Sequence, residues 1–122
     1  MKYLCLAYEE EVKLTSLSRS EWDALRVETL AYVDSLRESG HLIITHALKS
    51  AHTATTLRVR KGTLSMTDGP FAETKEQLGG FFLIEAQDLN EAITLARKWP
   101  SARLGSIEVR PIEEELPQES RY

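Results

Sequence analysis

Cys5 is the only cysteine in the 122 residues. One thiol excludes an intramolecular disulfide and a thiolate metal cluster, and it fits a reducing compartment, so a cytoplasmic location is expected. No apolar run approaches the ~20 residues that a membrane helix needs. The apolar start, Met1 to Tyr8, is too short for a signal peptide and runs into Glu9-Glu10-Glu11. Basic residues are outnumbered, 15 against 19 acidic, for a net charge of −4. That balance argues against a general nucleic-acid binder, which gains its affinity from counterion release at a basic surface. Repeats of solenoid length and low-complexity blocks are both absent. The three histidines, His41, His46 and His52, lack the H-x-x-x-H spacing of a helical zinc site. Gly79-Gly80 is not followed by the Lys-Ser/Thr of a phosphate loop. No metal and no cofactor are expected.

What is present is ordinary globular material: 42% hydrophobic and 28% charged residues, enough for one domain with one core. Residues 1–112 are expected to form that domain, and 113–122 an acidic tail. Met1 to Tyr8 reads as a buried strand that places Cys5 in the core, followed by a loop over 9–19. Ser18 and Glu21 have the spacing of a capping box, and Ser20 with Asp23 offers a second register. Trp22, Leu25, Thr29, Tyr32, Val33 and Leu36 then recur at helical intervals up to Gly40. Leu42 to Leu48 alternates as a strand, with Leu42, Ile44, His46 and Leu48 on one face. Thr55 to Arg60 and Thr63 to Thr67 form a hairpin across Lys61-Gly62, expected to carry a bulge. Gly79-Gly80 opens a central strand, Phe81 to Ala86. Asp88 caps a second helix, whose stripe is Leu89, Ala92, Ile93, Ala96 and Trp99, and Pro100 stops it. Ile107, Val109 and Pro111 mark a last strand.

This order predicts an α+β fold, a ferredoxin-like βαβ-ββαβ sandwich with both helices on one sheet face. The other face keeps apolar side chains that two helices cannot also cover. A homodimer packed sheet to sheet is therefore expected.

The segment from Thr67 to Phe81 concentrates the polar chemistry. Asp68-Gly69-Pro70 is strong turn chemistry, and Phe71 is expected to plug the core and anchor the loop. Asp68 is either a general base or ligand anchor, or a carboxylate bonded to the amides of its own turn. Lys75 either orients an anionic ligand or pairs with Glu73 or Glu76. Glu73 and Glu76 are themselves ligand-binding candidates, two carboxylates that would share one side of a helical turn. His46 is either a core histidine or a proton shuttle in a cleft. Tyr8 and the hairpin residues Arg58 and Arg60 are further ligand-binding candidates, the arginines through bidentate contacts to a carboxylate or phosphate.

The run Asp68-Gly69-Pro70-Phe71-Ala72-Glu73-Thr74-Lys75-Glu76, continuing through Leu78-Gly79-Gly80-Phe81-Phe82, closely resembles the DGPF signature of the YCII-related protein family. Ala86 to Ala92, Pro100 and Ile107 to Pro111 extend the resemblance over most of Met1 to Ile112. It implies a dimeric α+β barrel and an enzyme-like cleft, and makes Gly69, Pro70, Phe71, Gly79 and Gly80 the structural part of the motif. Some members carry a histidine in the first helix, paired with an acid as a proposed dyad. This sequence has no histidine between Ser20 and Ser39. Two functional readings follow. One is a small-molecule-binding or enzyme-like homodimer working by proton transfer, with Asp68 and His46 catalytic. The other is a non-catalytic regulatory protein, a role the resemblance links to extracytoplasmic-function sigma factors.

Overall fold

The computed structural model describes residues 1–113 and 121. Most of the expected acidic tail lies outside the described residues. The elements are β1 (Lys2–Glu9), α1 (Glu11–Thr15), α2 (Arg19–Glu38), β2 (Leu42–Ala47), β3 (Thr55–Arg60), β4 (Thr63–Asp68), β5 (Gln77–Glu85), α3 (Leu89–Ala96) and β6 (Gly105–Pro111). Short 3-10 turns cover Ala51–Thr53 and Pro100–Arg103. Four strands form an antiparallel sheet in the order β2-β5-β1-β6. That is the ferredoxin-like order, with both helical connections on one face. β3 and β4 pair only with each other, as a separate two-stranded sheet.

The helix ends follow the sequence closely. The Ser18 hydroxyl accepts from the Glu21 amide at 3.2 Å, and the Glu21 carboxylate accepts from the Ser18 amide at 3.0 Å. Gly40 adopts φ +79° beyond the last turn of α2. The His41 amide then bonds the Leu36 carbonyl and the Gly40 amide bonds Arg37, each at 3.0 Å. This Schellman arrangement needs a left-handed residue, which glycine adopts without a Cβ clash. At α3, Asp88 accepts from the Glu91 amide at 2.9 Å.

Two local expectations are corrected. Lys61 and Gly62 both have positive φ, 51° and 76°, and Arg60 pairs directly with Thr63. The hairpin therefore closes with a two-residue type I′ turn, whose twist matches the strands, and needs no bulge. The irregularity lies instead in β2, between Leu42 and Ile44. Leu42 pairs with Ile84 and packs against the core, while Ile44 and His46 pair with Leu83 and Phe81. One extra residue breaks the parity, so Leu42 does not share a face with Ile44 and His46. In addition, residues 11–15, read as loop, form the short helix α1.

The core lies between the sheet and the helices. Tyr3 and Cys5 of β1 and Phe82 and Ile84 of β5 meet Val33 and Leu36 of α2, and Ala92, Ala96 and Trp99 of the α3 segment. Leu89 and Ile93, expected in the buried stripe of α3, are nearly half exposed, because the two alanines bring that helix down along a narrower seam. Trp99 stacks on Phe82 with ring centroids 4.0 Å apart and planes at 12°, and Tyr32 meets it edge-on at 6.3 Å. The Tyr32 hydroxyl donates to the Leu95 carbonyl at 2.6 Å, tying α2 to α3. Burial pushes the Cys5 thiol up to about 12, so this cysteine stays a protonated core side chain. The stack makes Phe82 the side chain on which both helices close. Phe82→Ala is expected to cost about 3–5 kcal/mol by cavity formation, measured as a lowered midpoint in urea unfolding.

Candidate functional site

Strand parity on β1 turns Tyr3, Cys5, Ala7 and Glu9 toward the helices, and all four are buried. Three of them suit an apolar interior. Glu9 does not: it is only 9% exposed, and its Oε2 is buried with no hydrogen-bond partner among the described residues. The opposite strand makes room for it. β5 carries one extra residue where Ala7 pairs with Gly80 and Tyr8 with Leu78. That residue is Gly79, and a Cβ there would lie 2.2 Å from Glu9 Oε1. Gly105 of β6 closes the other side, where a Cβ would lie 1.9 Å from the Tyr8 carbonyl oxygen. Glycines on both neighbouring strands thus clear the end of β1.

Glu9 borders a cavity of about 410 Å³ between α2 and the sheet. This volume is within the range of small-molecule sites. Trp22, Leu25, Leu30 and Val33 of α2 form one wall, with Trp99 at one end. Ala7, Thr45 and Gly80 form the floor. The Thr45 hydroxyl donates to the Phe81 carbonyl at 2.8 Å, which fixes the edge strand against β5. Arg26 and Thr29 add polar groups from α2. Desolvation raises the Glu9 pKa above 4.5, and the nearby carboxylates of Glu76 and Glu11 raise it further. A carboxyl so placed can hold or accept a proton nearer neutral pH than a solvated one.

The Asp68–Gly80 motif acts mainly as the frame around Glu9. Loop 69–76 is shorter than expected, because β5 already begins at Gln77 and takes in Gly79 and Gly80. The Gly69 amide donates to the Ala54 carbonyl at 2.7 Å, and the Thr56 hydroxyl to the Gly69 carbonyl at 2.9 Å. The Gln77 side chain donates to the Thr74 carbonyl and accepts from the Glu11 amide at 3.1 Å. Glu11 in turn accepts from the Ala51 amide at 2.7 Å and the Ser50 hydroxyl at 2.9 Å, bonds that hold its pKa below the usual carboxylate range. Glu76 accepts from Ser106 at 2.7 Å. Glu11 and Glu76 are thereby held beside Glu9, and their repulsion adds to its burial penalty.

The other expected residues fall in several places. His46 lies at the edge of the Glu9 cavity, but it pairs with Phe81 on the sheet face away from the helices, and its ring tilts against Phe81 at 6.0 Å on that face. Asp68 ends β4 opposite Thr55, exposed, and lines neither this cavity nor the second one. The structure does not bring Asp68 and His46 into a common site. Lys75 pairs with Glu10 at 3.5 Å, not with Glu73 or Glu76. Arg58 is half-buried on β3 and borders neither cavity. Phe71, expected to plug the core, is 80% exposed. Tyr8, Pro70 and Phe71 instead border a second cavity of about 670 Å³ with residues 48–51 and 53–56. Its only charged lining residue is Lys49, so it offers less acid–base chemistry than the first. Among the described residues, no group of three His, Cys, Asp or Glu side chains could hold a metal ion, and no helix is long and apolar enough to cross a membrane.

Glu9 was missed in the sequence because Glu9-Glu10-Glu11 reads as the start of a polar loop. The available signal was parity: a carboxylate on the inward register of a buried strand. Comparison with known proteins agrees with the architecture. The family model described as the YCII-related domain matches residues 1–115. An uncharacterized protein of Rhizobium meliloti is 39% identical over 114 residues, covering 92% of each chain. Among solved structures, the 5-chloro-2-hydroxyhydroquinone dehydrochlorinase TftG of Burkholderia phenoliruptrix, in complex with 2,5-dihydroxybenzoquinone, is similar in fold. It matches at TM-score 0.53 and 18% identity, over 93% of this chain and 94% of that one.

The Glu9 environment sets a pH dependence of stability. Folded Glu9 keeps its proton at pH values where the unfolded chain has lost it. Its contribution is therefore fully present below 4.5 and is lost as pH rises through the raised folded pKa. Wild type should lose stability relative to Glu9→Gln between about pH 5 and pH 8. Paired urea titrations at both pH values measure this, and a difference that does not change with pH would show that Glu9 does not titrate there.

Proposed function

This chain belongs to the YCII-related domain family, and from that premise we propose that it binds a small organic molecule in the cavity beneath α2 and transfers a proton to or from it through Glu9. The observation that carries this reading is the buried, unpartnered Oε2 of Glu9 at the wall of a ligand-sized, largely apolar cavity. A buried carboxylate without a partner is destabilising, and a bound molecule that shares a proton with it relieves that cost. An enzyme-like role is also in keeping with the fold: the similar structure is named for a dehydrochlorinase, and loss of hydrogen chloride requires a base. In this reading Glu9 takes the catalytic place expected of Asp68, and the His46 ring, on the other face of the sheet, takes no part.

A thermal-shift screen of small organic acids and neutral compounds tests the binding. Ligands that raise the melting temperature of wild type should lose their effect in Leu30→Trp, which fills the cavity from α2. For a ligand with an exchangeable C–H, Glu9→Gln should slow deuterium exchange, followed by NMR, at least about 100-fold. Absence of any ligand sensitive to Leu30→Trp would overturn the proposal and favour the regulatory-partner reading.

The working unit in this proposal is a homodimer. Strand parity leaves Leu4, Leu6, Phe81, Leu83 and Ile44 on the sheet face away from the helices. Leu57, Val59, Leu64 and Met66 share one face of the hairpin, with exposures from 54% to 68%. A second copy of the same chain would cover both faces together. Light scattering coupled to size exclusion is expected to give twice the 13.8 kDa chain mass. Met66→Glu should lower the measured mass towards one chain, and a wild-type monomer at micromolar concentration would refute the dimer.

A further inference from the structure

Two charged residues of opposite sign, Glu9 and Arg26, border the cavity, and neither side chain has a hydrogen-bond or ion-pair partner among the described residues. α2 has three arginines. Arg19 pairs with Asp23 at 3.3 Å and Arg37 with Asp34 at 3.8 Å. The neighbouring acid Glu28 is taken by Arg103 at 2.6 Å. Arg26 has no ion-pair or hydrogen-bond partner among the described residues, although it lies on the cavity-facing stripe with Trp22, Thr29, Leu30 and Val33. The two acids near it on α2, Asp23 and Glu28, are both paired with other arginines. Glu9 lies at the same cavity, 91% buried, with carboxylate neighbours and no cation in contact.

We propose that the ligand is a ring-sized, largely apolar molecule bearing a weakly acidic hydroxyl, a phenol or an enol, and that Arg26 holds its oxygen as the anion. This rests on the cavity reading above. The step balances without a co-reactant. The ligand O–H bond breaks, its proton forms a bond to Glu9 Oε2, and the electron pair stays on the ligand oxygen. Negative charge thereby leaves a carboxylate beside Glu11 and Glu76 and moves to an oxygen beside the Arg26 guanidinium. Charge-assisted hydrogen bonds from arginine favour that final state. The neutral Glu9 carboxyl can then donate to the same anion. The aromatic walls, Trp22 and Trp99, suit a planar ring. A fixed cation such as an amine would satisfy Glu9 but would face Arg26, so the pair of opposite charges favours the acidic hydroxyl.

The probe is 4-nitrophenol, whose ionised form absorbs visible light. Bound to wild type, it is expected to ionise at lower pH than free in solution. Arg26→Gln should weaken binding of the ionised form at least about ten-fold. Arg60→Gln, which makes the same charge change on the hairpin, should leave it unaltered. Arg26 is exposed, so the melting temperature of the free variant should match wild type and exclude misfolding. Binding that Leu30→Trp abolishes but Arg26→Gln leaves unchanged would overturn this assignment while sparing the cavity. A cavity that takes other compounds but not 4-nitrophenol would do the same. Probe binding indifferent to Leu30→Trp would count against both, since the probe would then sit elsewhere on the surface.

Discussion

The end of β1 is where backbone geometry and electrostatics meet in this fold. β1 is an interior strand, hydrogen-bonded to β5 on one side and β6 on the other along almost its whole length. Its parity cannot change without turning Tyr3 and Cys5 out of the core. The same parity commits Glu9 to the interior. The neighbouring strands then have to accommodate a carboxylate at the point where the sheet opens. Gly79 does so by offering no side chain against it, and Gly105 by letting β6 approach the Tyr8 carbonyl. The core at one end of β1 and the cavity at the other are consequences of one register.

The conspicuous motif takes on a different character in this setting. Its polar residues do not converge on a ligand. Gln77 bridges loop 69–76 to α1, Glu11 ties α1 to the turn at Ala51–Thr53, and Glu76 is held by Ser106. These bonds fix two acids close enough to raise the Glu9 pKa. Low dielectric and like charge act in the same direction, so a short stretch of chain can alter a proton affinity without touching the cavity itself. On the opposite wall, α2 supplies aromatic and aliphatic surface plus one arginine whose neighbouring acids are already paired.

Much of the architecture was legible in the residues. The cap at Ser18, the stop at Gly40, the cap at Asp88 and the alternation in β1 each have a local cause, and each appears where the sequence puts it. The bulge in β2 was not legible. Leu42, Ile43, Ile44 and Thr45 alternate acceptably in either phase, and only pairing with Leu83 and Ile84 selects one. Phe71 was misplaced for a related reason. An aromatic residue in a turn signals burial only if the loop path turns it inward, and loop 69–76 leaves Phe71 at the rim of the second cavity.

The sequence by itself determined the element order, the cap and turn positions, the α+β class and the inertness of Cys5, because these depend on neighbours within a few residues or on strand parity. Tertiary structure decided which polar residue matters. Glu9 is the first of three consecutive glutamates; strand parity turns it inward only if β1 runs that far, whereas Glu10 pairs with Lys13 and Lys75 and Glu11 caps a turn. The difference is the number of partners each carboxylate finds once the strands close. Glu9 alone of the three is buried without one at Oε2, because its position lies over a glycine gap and beneath a helix, and both features come from chain segments far away in sequence.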